Sequence, residues 1–197
     1  MLKLQRRVEL LIAFAIFFGV LTLTSAEDEQ AALASKLIRL HVVAESDSDA
    51  DQAHKLEIRD RILEDLAPIL SGVTERADAL ARISNALPAL SEKYGGVTFS
   101  LRREHFPERQ YETFKLPAGE YTALRAVIGS GAGRNWWCVV FPQLCVEAVT
   151  TEVERDSSDA FALLSEDEVR LITGSDKGYV VKFKALELLE SLRALFK

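Results

Sequence analysis

The stretch LIRLHVVA at residues 37–44 is the clearest guide to the fold. Its even-numbered positions are all apolar, whereas Arg39 and His41 lie on the odd-numbered side, and this alternation predicts a half-buried β-strand. Residues 47–49 (Asp-Ser-Asp) follow, and their short acceptor side chains favour a helix start because they satisfy free backbone N–H groups. The stretch therefore predicts a strand that leads directly into a helix from about Asp49 to Leu66. Helical spacing predicts that one buried apolar stripe of this helix contains Leu56, Leu63, Leu66 and Leu70.

Outward from this segment, helical and strand patterns follow one another along the chain. Apolar residues at helical spacing predict a second helix from Thr74, which Pro88 should kink or shorten near its end. The run Asn135–Phe141 is apolar on both faces, which predicts a position in the middle of a sheet. Further strands are predicted at residues 97–101, 111–116 and 120–128, and an amphipathic helix at residues 185–196. This order predicts an α+β fold, with an antiparallel-rich sheet and helices packed on one of its faces.

The N-terminus has the pattern of an export signal. Basic residues among the first seven precede an apolar run at residues 10–23 and three small residues at 24–26. The apolar run is shorter than the roughly 20 residues that a membrane-spanning helix needs, and the whole pattern is typical of a secretory signal peptide. We expect residues 1–26 to be this segment, either cleaved between Ala26 and Glu27 or retained as an N-terminal anchor.

Composition divides the remaining chain into three parts. Residues 27–145 carry most of the predicted elements and are expected to form the main α+β domain. Residues 146–162 are acidic and poor in apolar side chains, which predicts a linker-like connection. Residues 163–197 are expected to form a helical extension that packs on the main domain.

Charge and motif spacing exclude several classes of function. The net charge of −6 argues against nucleic acid as the partner, because phosphate backbones bind clustered Lys and Arg. The glycines of Gly129–Gly133 lack the spacing and the following helix of a phosphate loop, so we expect a hairpin loop. Asp47, Asp49 and Asp51 lack the Gly and Glu that complete a calcium loop. We therefore expect no metal, no cofactor and no small-molecule substrate.

The two cysteines allow three interpretations. Outside the cytosol, Cys138 and Cys145 are first a candidate disulfide, which would close a short turn. They could also be reduced core thiols. As a third alternative, Cys138 could be the nucleophile of an exported hydrolase with one of the three histidines as its base, although its apolar neighbours would raise the pKa of the thiol.

Two blocks of sequence resemble the stage II sporulation protein R family. The first lies in residues 37–60 and the second in residues 116–145, where Asn135-Trp136-Trp137-Cys138-Val139 is the most distinctive run. Glu45 stands where the family pattern has Asn, and Gln143 where it has a second Pro. Residues 146–197 resemble the family only loosely.

The resemblance implies a secreted signalling protein of endospore formation and not an enzyme. Members are secreted across the forespore membrane into the space between the two sporulation membranes. There they activate the membrane-embedded aspartic protease that processes pro-sigma-E. The resemblance therefore implies that this protease is the partner and that the protein contacts the membrane only through its N-terminal segment.

The candidate partner contacts are loop residues and aromatic residues in the second block and near the first helix. Trp136 and Trp137 are adjacent, so on a strand they point to opposite faces, and one of them could meet a partner or a sugar ring. A cell-wall-binding module is therefore a further alternative to the signalling function. The candidates are Asp47, Gly129, Gly131, Gly133, Asn135, Trp136 and Trp137.

Overall fold

The computed structural model describes residues 28–111, 113–144 and 161–173, together with Leu10 and Phe14. It confirms the α+β class, with helices beside a mostly antiparallel mixed sheet. The predicted signal segment and its cleavage site, Cys145, the linker-like segment up to residue 160 and the helix predicted at 185–196 lie outside the described residues. The elements in chain order are α1 (residues 28–36), β1 (Ile38–Val43), α2 (Asp49–Leu70), α3 (Arg76–Lys93), β2 (Val97–Phe106), β3 (Arg109–Gln110), β4 (Lys115–Leu116), β5 (Gly119–Ile128), β6 (Asn135–Phe141) and α4 (Glu166–Thr173).

Contacts between residues divide the chain into two units. The larger unit comprises the described residues within Ala34–Phe106 and Glu120–Glu166, and it contains β1, β2, β6, α2, α3 and nearly all of β5. The smaller unit comprises those within Met1–Leu33, Pro107–Gly119 and Asp167–Lys197. No helix in the part of the chain that the structure describes is both long and apolar enough to cross a membrane.

The larger unit is built on a four-stranded sheet with the order β2-β5-β1-β6. β1 runs parallel to β5 and antiparallel to β6. β2 and β5 run antiparallel, since Gly96 meets Gly129 and His105 meets Glu120. Among the described strands β6 ends the sheet, so the expected central position is not found there. Its apolar character reflects burial of both of its faces, as the low exposure of Val139 and Val140 indicates.

β1 is buried along its whole length, and the prediction of a half-buried strand was wrong. The reason is long-range packing on the side of Arg39 and His41. The Arg39 guanidinium lies 4.0 Å from the centroid of the Phe106 ring and 4.9 Å from that of Tyr121, so cation–π contacts accompany the burial of its charge. His41 lies against Trp137 and Phe106 on the same face.

The helices pack on the opposite face of the sheet, where Ile38, Leu40 and Val42 point. The Arg59 guanidinium of α2 lies 4.9 Å from the ring centroid of Trp136, and Arg76 of α3 donates a 2.7 Å hydrogen bond to Thr122. Register pairs Trp136 with Val42 and Thr122 with Ile38. Both helices therefore cover one face, as the sequence predicted.

The helix boundaries differ modestly from the expected ones. α2 begins at Asp49 as predicted, with Ser48 as its N-cap, but it continues past Leu66 to Leu70 and includes Pro68 in its last turn. α3 begins at Arg76 and not at Thr74, and it continues through Pro88 to Lys93. The expected apolar stripe of α2 also shifts, because Leu56 is exposed whereas Lys55 is 95% buried by the loops described below.

The smaller unit contains the two-stranded antiparallel pair of β3 and β4, with Arg109 opposite Leu116. The single strand predicted at residues 111–116 was wrong, because the chain turns within this range. The turn is closed by a 2.8 Å hydrogen bond from the Tyr111 N–H to the Phe114 carbonyl. The two rings also stack with centroids 4.6 Å apart.

Asp65 ties α2 to the end of α3. Its carboxylate accepts hydrogen bonds from Lys93 Nζ at 2.6 and 2.7 Å and from the Tyr94 hydroxyl at 2.7 Å. Burial alone would raise the pKa of Asp65, but these two donors outweigh burial and lower the pKa below its usual value of 3.8. The carboxylate therefore stabilises the folded state while it is ionised.

We expect the substitution Asp65→Asn to lower the free energy of unfolding by about 1 kcal/mol at neutral pH. The wild-type advantage should be present above about pH 3.8 and should disappear as the pH falls through the lowered folded-state pKa of Asp65. Urea unfolding between pH 7 and pH 2 measures this difference. Asp78→Asn is the matched control because Asp78 makes an exposed i,i+4 pair with Arg82, and it should change stability by less than about 0.5 kcal/mol. An equal loss in both variants at every pH would contradict the role of Asp65.

Candidate functional site

Two loops meet at the edge of the sheet where β1 and β5 end and β6 begins. We call them the paired loops: residues 44–48 between β1 and α2, and residues 129–134 between β5 and β6. The Gly133 N–H donates to the Ala44 carbonyl at 2.9 Å, and the Ala132 N–H donates to the Glu45 carbonyl at 3.0 Å. The Ser130 hydroxyl also donates to the Glu45 carbonyl at 3.1 Å. The loops come together because parallel strands present their carboxyl ends at the same edge.

Asp47 connects the paired loops through its side chain. Its Oδ1 accepts a 2.7 Å hydrogen bond from the Arg134 backbone N–H and lies 3.4 Å from the Arg134 Nε. Both side chains are mostly exposed. The acidic residue that the sequence singled out therefore bridges to the glycine loop, and the structure brings these two predicted features into one site.

The start of α2 is held by a small network of hydroxyl groups and a carboxylate. The Asp51 carboxylate accepts hydrogen bonds from the Ser46 and Ser48 hydroxyls, and the Ser48 hydroxyl accepts from the Asp51 N–H at 3.1 Å. The bond from Ser46, followed by that from Ser48, lowers the pKa of Asp51. The arrangement satisfies a backbone N–H donor at the helix start and two hydroxyl donors. Within the described ranges, no group of three or more His, Cys, Asp or Glu side chains could hold a metal ion.

Lys55 of α2 is hydrogen-bonded to one of the paired loops, a contact that the sequence did not predict. Its ammonium donates to the Gln52 side chain at 2.7 Å and to the Arg134 carbonyl at 3.0 Å. Burial, followed by the nearby Arg134 charge, lowers the pKa of Lys55. Helical periodicity instead predicted that the neighbouring Leu56 would be buried. Periodicity contains no information on the distant polar groups that can satisfy a buried ammonium.

Glycine is needed at the three candidate positions for two different structural reasons. Gly129 and Gly131 have φ angles of +53° and +65°, a region that costs other residues conformational energy. Gly133 is required by close approach instead, since a Cβ there would lie 2.2 Å from the Ser46 carbonyl oxygen. The predicted positive φ is therefore found in this loop, but the prediction of a hairpin was wrong, because β1 lies between β5 and β6 in the sheet.

Trp136 and Trp137 point to opposite faces of β6, as predicted. Trp136 lies on the helix face beneath Arg59. Trp137 lies on the other face, where its ring stacks on His41 with centroids 5.6 Å apart and planes inclined by 29°. Trp137, unlike Trp136, therefore lies on the same face as His41, and the His41 imidazole is hydrogen-bonded to Asn135.

His41 joins three strands through its imidazole. Nδ1 lies 2.6 Å from Glu104 Oε1 on β2, and Nε2 lies 2.9 Å from Asn135 Oδ1 at the start of β6. Arg102 and Arg125 also approach Glu104, at 3.3 and 3.7 Å. Burial would raise the pKa of Glu104, but the hydrogen bond and charge of His41, followed by Arg102, lower it overall. The mostly buried pair of His41 and Glu104 therefore orients the exposed Asn135.

The contact between His41 and Glu104 at the candidate site could not be predicted from the sequence. His41 and Glu104 are 63 residues apart, and Asn135 is 94 residues from His41. The sequence placed Arg39 and His41 on one side of a strand predicted to be half-buried, and it predicted no partner for either side chain. Strand order was needed to identify Glu104.

Cys138 and His41 are not arranged as a nucleophile and its base. Register pairs Cys138 with Leu40 and Trp137 with His41, so the cysteine and the imidazole point to opposite faces. Cys138 is held in a disulfide and is not a free thiol. The pairing with Cys145 stays a prediction, since Cys145 lies outside the described residues. His54 and His105 lie near Glu57 and Glu120 on exposed surfaces.

Comparison with known proteins identifies the family. The profile of stage II sporulation protein R matches residues 34–151. The chain is 32% identical over 153 residues to stage II sporulation protein R of Bacillus subtilis (strain 168), a match that covers 70% of this chain and 68% of that protein. No solved structure matches. The profile match over residues 34–151 includes β1, the paired loops and β6. The profile and the relative together show that the chain belongs to the stage II sporulation protein R family.

Proposed function

We propose that this protein is an exported signal of endospore formation that activates the membrane-embedded protease responsible for processing pro-sigma-E. It crosses the forespore membrane by means of its N-terminal segment and acts in the intermembrane space. It works by binding the protease and does not itself break a bond. The observation that carries the proposal is the convergence of the paired loops with Asn135, in a chain of this family.

The paired loops are suited to recognition because they are ordered before a partner arrives. Backbone hydrogen bonds from Ala132 and Gly133 and the Asp47–Arg134 contact hold them together. A preorganised surface loses less conformational entropy on binding, so more of its contact energy is available for affinity. Asp47, Gly129 and Asn135 are exposed on this surface.

Activation requires that the protein bind the active arrangement of the protease better than the inactive one. A rigid surface supports such discrimination, because it cannot adapt equally well to both arrangements. Reconstitution tests the proposal: the protease and its pro-sigma-E substrate are placed in membranes, with and without this protein added to the outer face. Processing that is independent of the protein would refute the proposed function.

We expect Asn135→Ala and Trp137→Ala each to reduce processing by at least about tenfold, as truncation of an interface hot spot does. Trp136→Ala is the matched control, because Trp136 is the adjacent residue of β6 but lies beneath Arg59 on the helix face. The rate of substrate cleavage in the reconstituted system is the measurement, with circular dichroism as a check of folding. Wild-type cleavage with both Asn135→Ala and Trp137→Ala would remove this surface from consideration.

A further inference from the structure

β2 is a long edge strand. It spans Val97–Phe106, and the sheet order places β5 on one side of it, with no strand of the described residues on the other. Residues 98–106 make no backbone hydrogen bond in the described structure apart from those of the sheet. One row of N–H and C=O groups of this strand is therefore available for pairing, and such an edge is a template for an additional strand.

The edge carries positive charge on both faces. Arg102 and Arg103 are both exposed, and as neighbours on a strand they point to opposite faces. On one face, Arg102 and Arg125 both pair with the Glu104 carboxylate, at 3.3 and 3.7 Å, so two arginines there face a single carboxylate. Arg103 lies near Arg76, since its charge contributes, after burial, to the lowered pKa of Arg76. This local excess of arginine contrasts with the net charge of −6 of the whole chain.

The same arginines disfavour pairing between two copies of β2. Arg102 and Arg103 lie near the middle of the strand, so a symmetric antiparallel pair would place the arginines of both copies next to one another. Like charges on neighbouring strands are destabilising. The charge pattern therefore favours an incoming strand that carries carboxylates.

We propose that the outer edge of β2 binds an extended acidic segment of a partner protein by strand addition. Main-chain hydrogen bonds supply affinity in this mode of recognition, and side chains on the two faces supply specificity. Here Arg102 and Arg103 select acidic residues at successive positions, because each meets one face of the incoming strand. This surface is distinct from the paired loops, and the proposal does not depend on the identity of the partner.

The test uses the full chain and a synthetic peptide of about nine residues in which pairs of adjacent Glu are separated by Val and Thr, so that both faces of the extended peptide carry carboxylates. A second peptide has Lys in place of Glu, and a third is the acidic peptide with Pro at its centre, which cannot complete the ladder. NMR shifts of backbone amides report the site, and titration gives the Kd. We expect shifts at residues 97–106 with the acidic peptide, and binding weaker by at least about tenfold with each of the other two.

Matched arginine variants separate the edge from general charge. Arg102→Ala with Arg103→Ala should weaken binding of the acidic peptide by at least about tenfold. Arg82→Ala with Arg170→Ala removes the same charge from α3 and α4 and should leave the Kd within about twofold. Equal losses in the two double variants, equal affinity for the acidic peptide with central Pro, or shifts that avoid residues 97–106 would each overturn the proposal. Sedimentation that shows self-association through β2 would overturn it in favour of a second copy.

Discussion

Gly133→Ala is expected to lower the free energy of unfolding by about 1–3 kcal/mol and to remove most of the proposed signalling activity. The added Cβ would lie 2.2 Å from the Ser46 carbonyl oxygen and 2.9 Å from the Ala44 Cβ. A backbone oxygen cannot rotate away as a flexible side chain can, so the paired loops must separate. Separation breaks the hydrogen bond between Gly133 and Ala44 and moves the surface that we assign to the protease.

Gly95→Ala is the matched control for this prediction. A Cβ at Gly95 would meet no atom within 4 Å, and its φ lies outside the left-handed region. Because Ala restricts the unfolded chain more than Gly does, Gly95→Ala should be neutral or stabilising by up to about 1 kcal/mol. Urea unfolding and the reconstituted cleavage assay measure both variants. Wild-type stability and wild-type cleavage with Gly133→Ala would show that the close approach of the loops is unimportant.

His41→Ala is expected to have the second large effect. It removes the imidazole that contacts Glu104 at 2.6 Å and Asn135 at 2.9 Å, and it also removes the ring that stacks on Trp137. A buried polar group that loses its partner costs about 1–3 kcal/mol of stability. We expect a loss of this size in urea unfolding, together with reduced cleavage, because Asn135 and Trp137 lose the contact that orients them.

The pH dependence distinguishes the role of Glu104 in this cluster from simple packing. The pKa of Glu104 is below its usual value of 4.5 in the folded protein. Its ionised form therefore adds stability above about pH 4.5, and this contribution is lost as the pH falls through the lowered folded-state value. The stability difference between wild type and Glu104→Gln should accordingly decrease in acid.

His105→Ala is the control for His41→Ala, since His105 is an exposed histidine of the same sheet whose nearest carboxylate, Glu120, is 3.7 Å away. It should change stability by less than about 0.5 kcal/mol. If His41→Ala were as mild as His105→Ala, the imidazole would not be the link between the three strands.

Much of the local structure could be predicted because it depends on neighbours in the sequence. Alternation identified β1, Ser48 and the acidic residues beside it marked the start of α2, and adjacency placed Trp136 and Trp137 on opposite faces. The candidate residues Asp47, Gly133 and Asn135 were also chosen from the sequence. The sequence named them as partner contacts, and their position at one edge of the sheet follows from the structure.

Other features depend on contacts that local patterns do not encode. Lys55 is buried and Leu56 exposed because Lys55 reaches the carbonyl of Arg134, 79 residues away. The strand predicted at residues 111–116 turns because Tyr111 bonds back to Phe114. Periodicity indicates which face of a helix or strand is apolar. It does not indicate which polar side chain will find a hydrogen-bond partner far away in the sequence.

By itself, the sequence determined the α+β class, the position of the first strand and helix, and the residues that belong to the second family block. Tertiary structure alone decided that His41 meets Glu104, that Lys55 supports the paired loops, and that β2 lies at an edge of the described sheet. The physical reason is that turns, caps and periodicity act over a few residues. Strand order and register instead follow from the burial and hydrogen bonding of the whole chain, and these bring together residues that lie far apart in sequence.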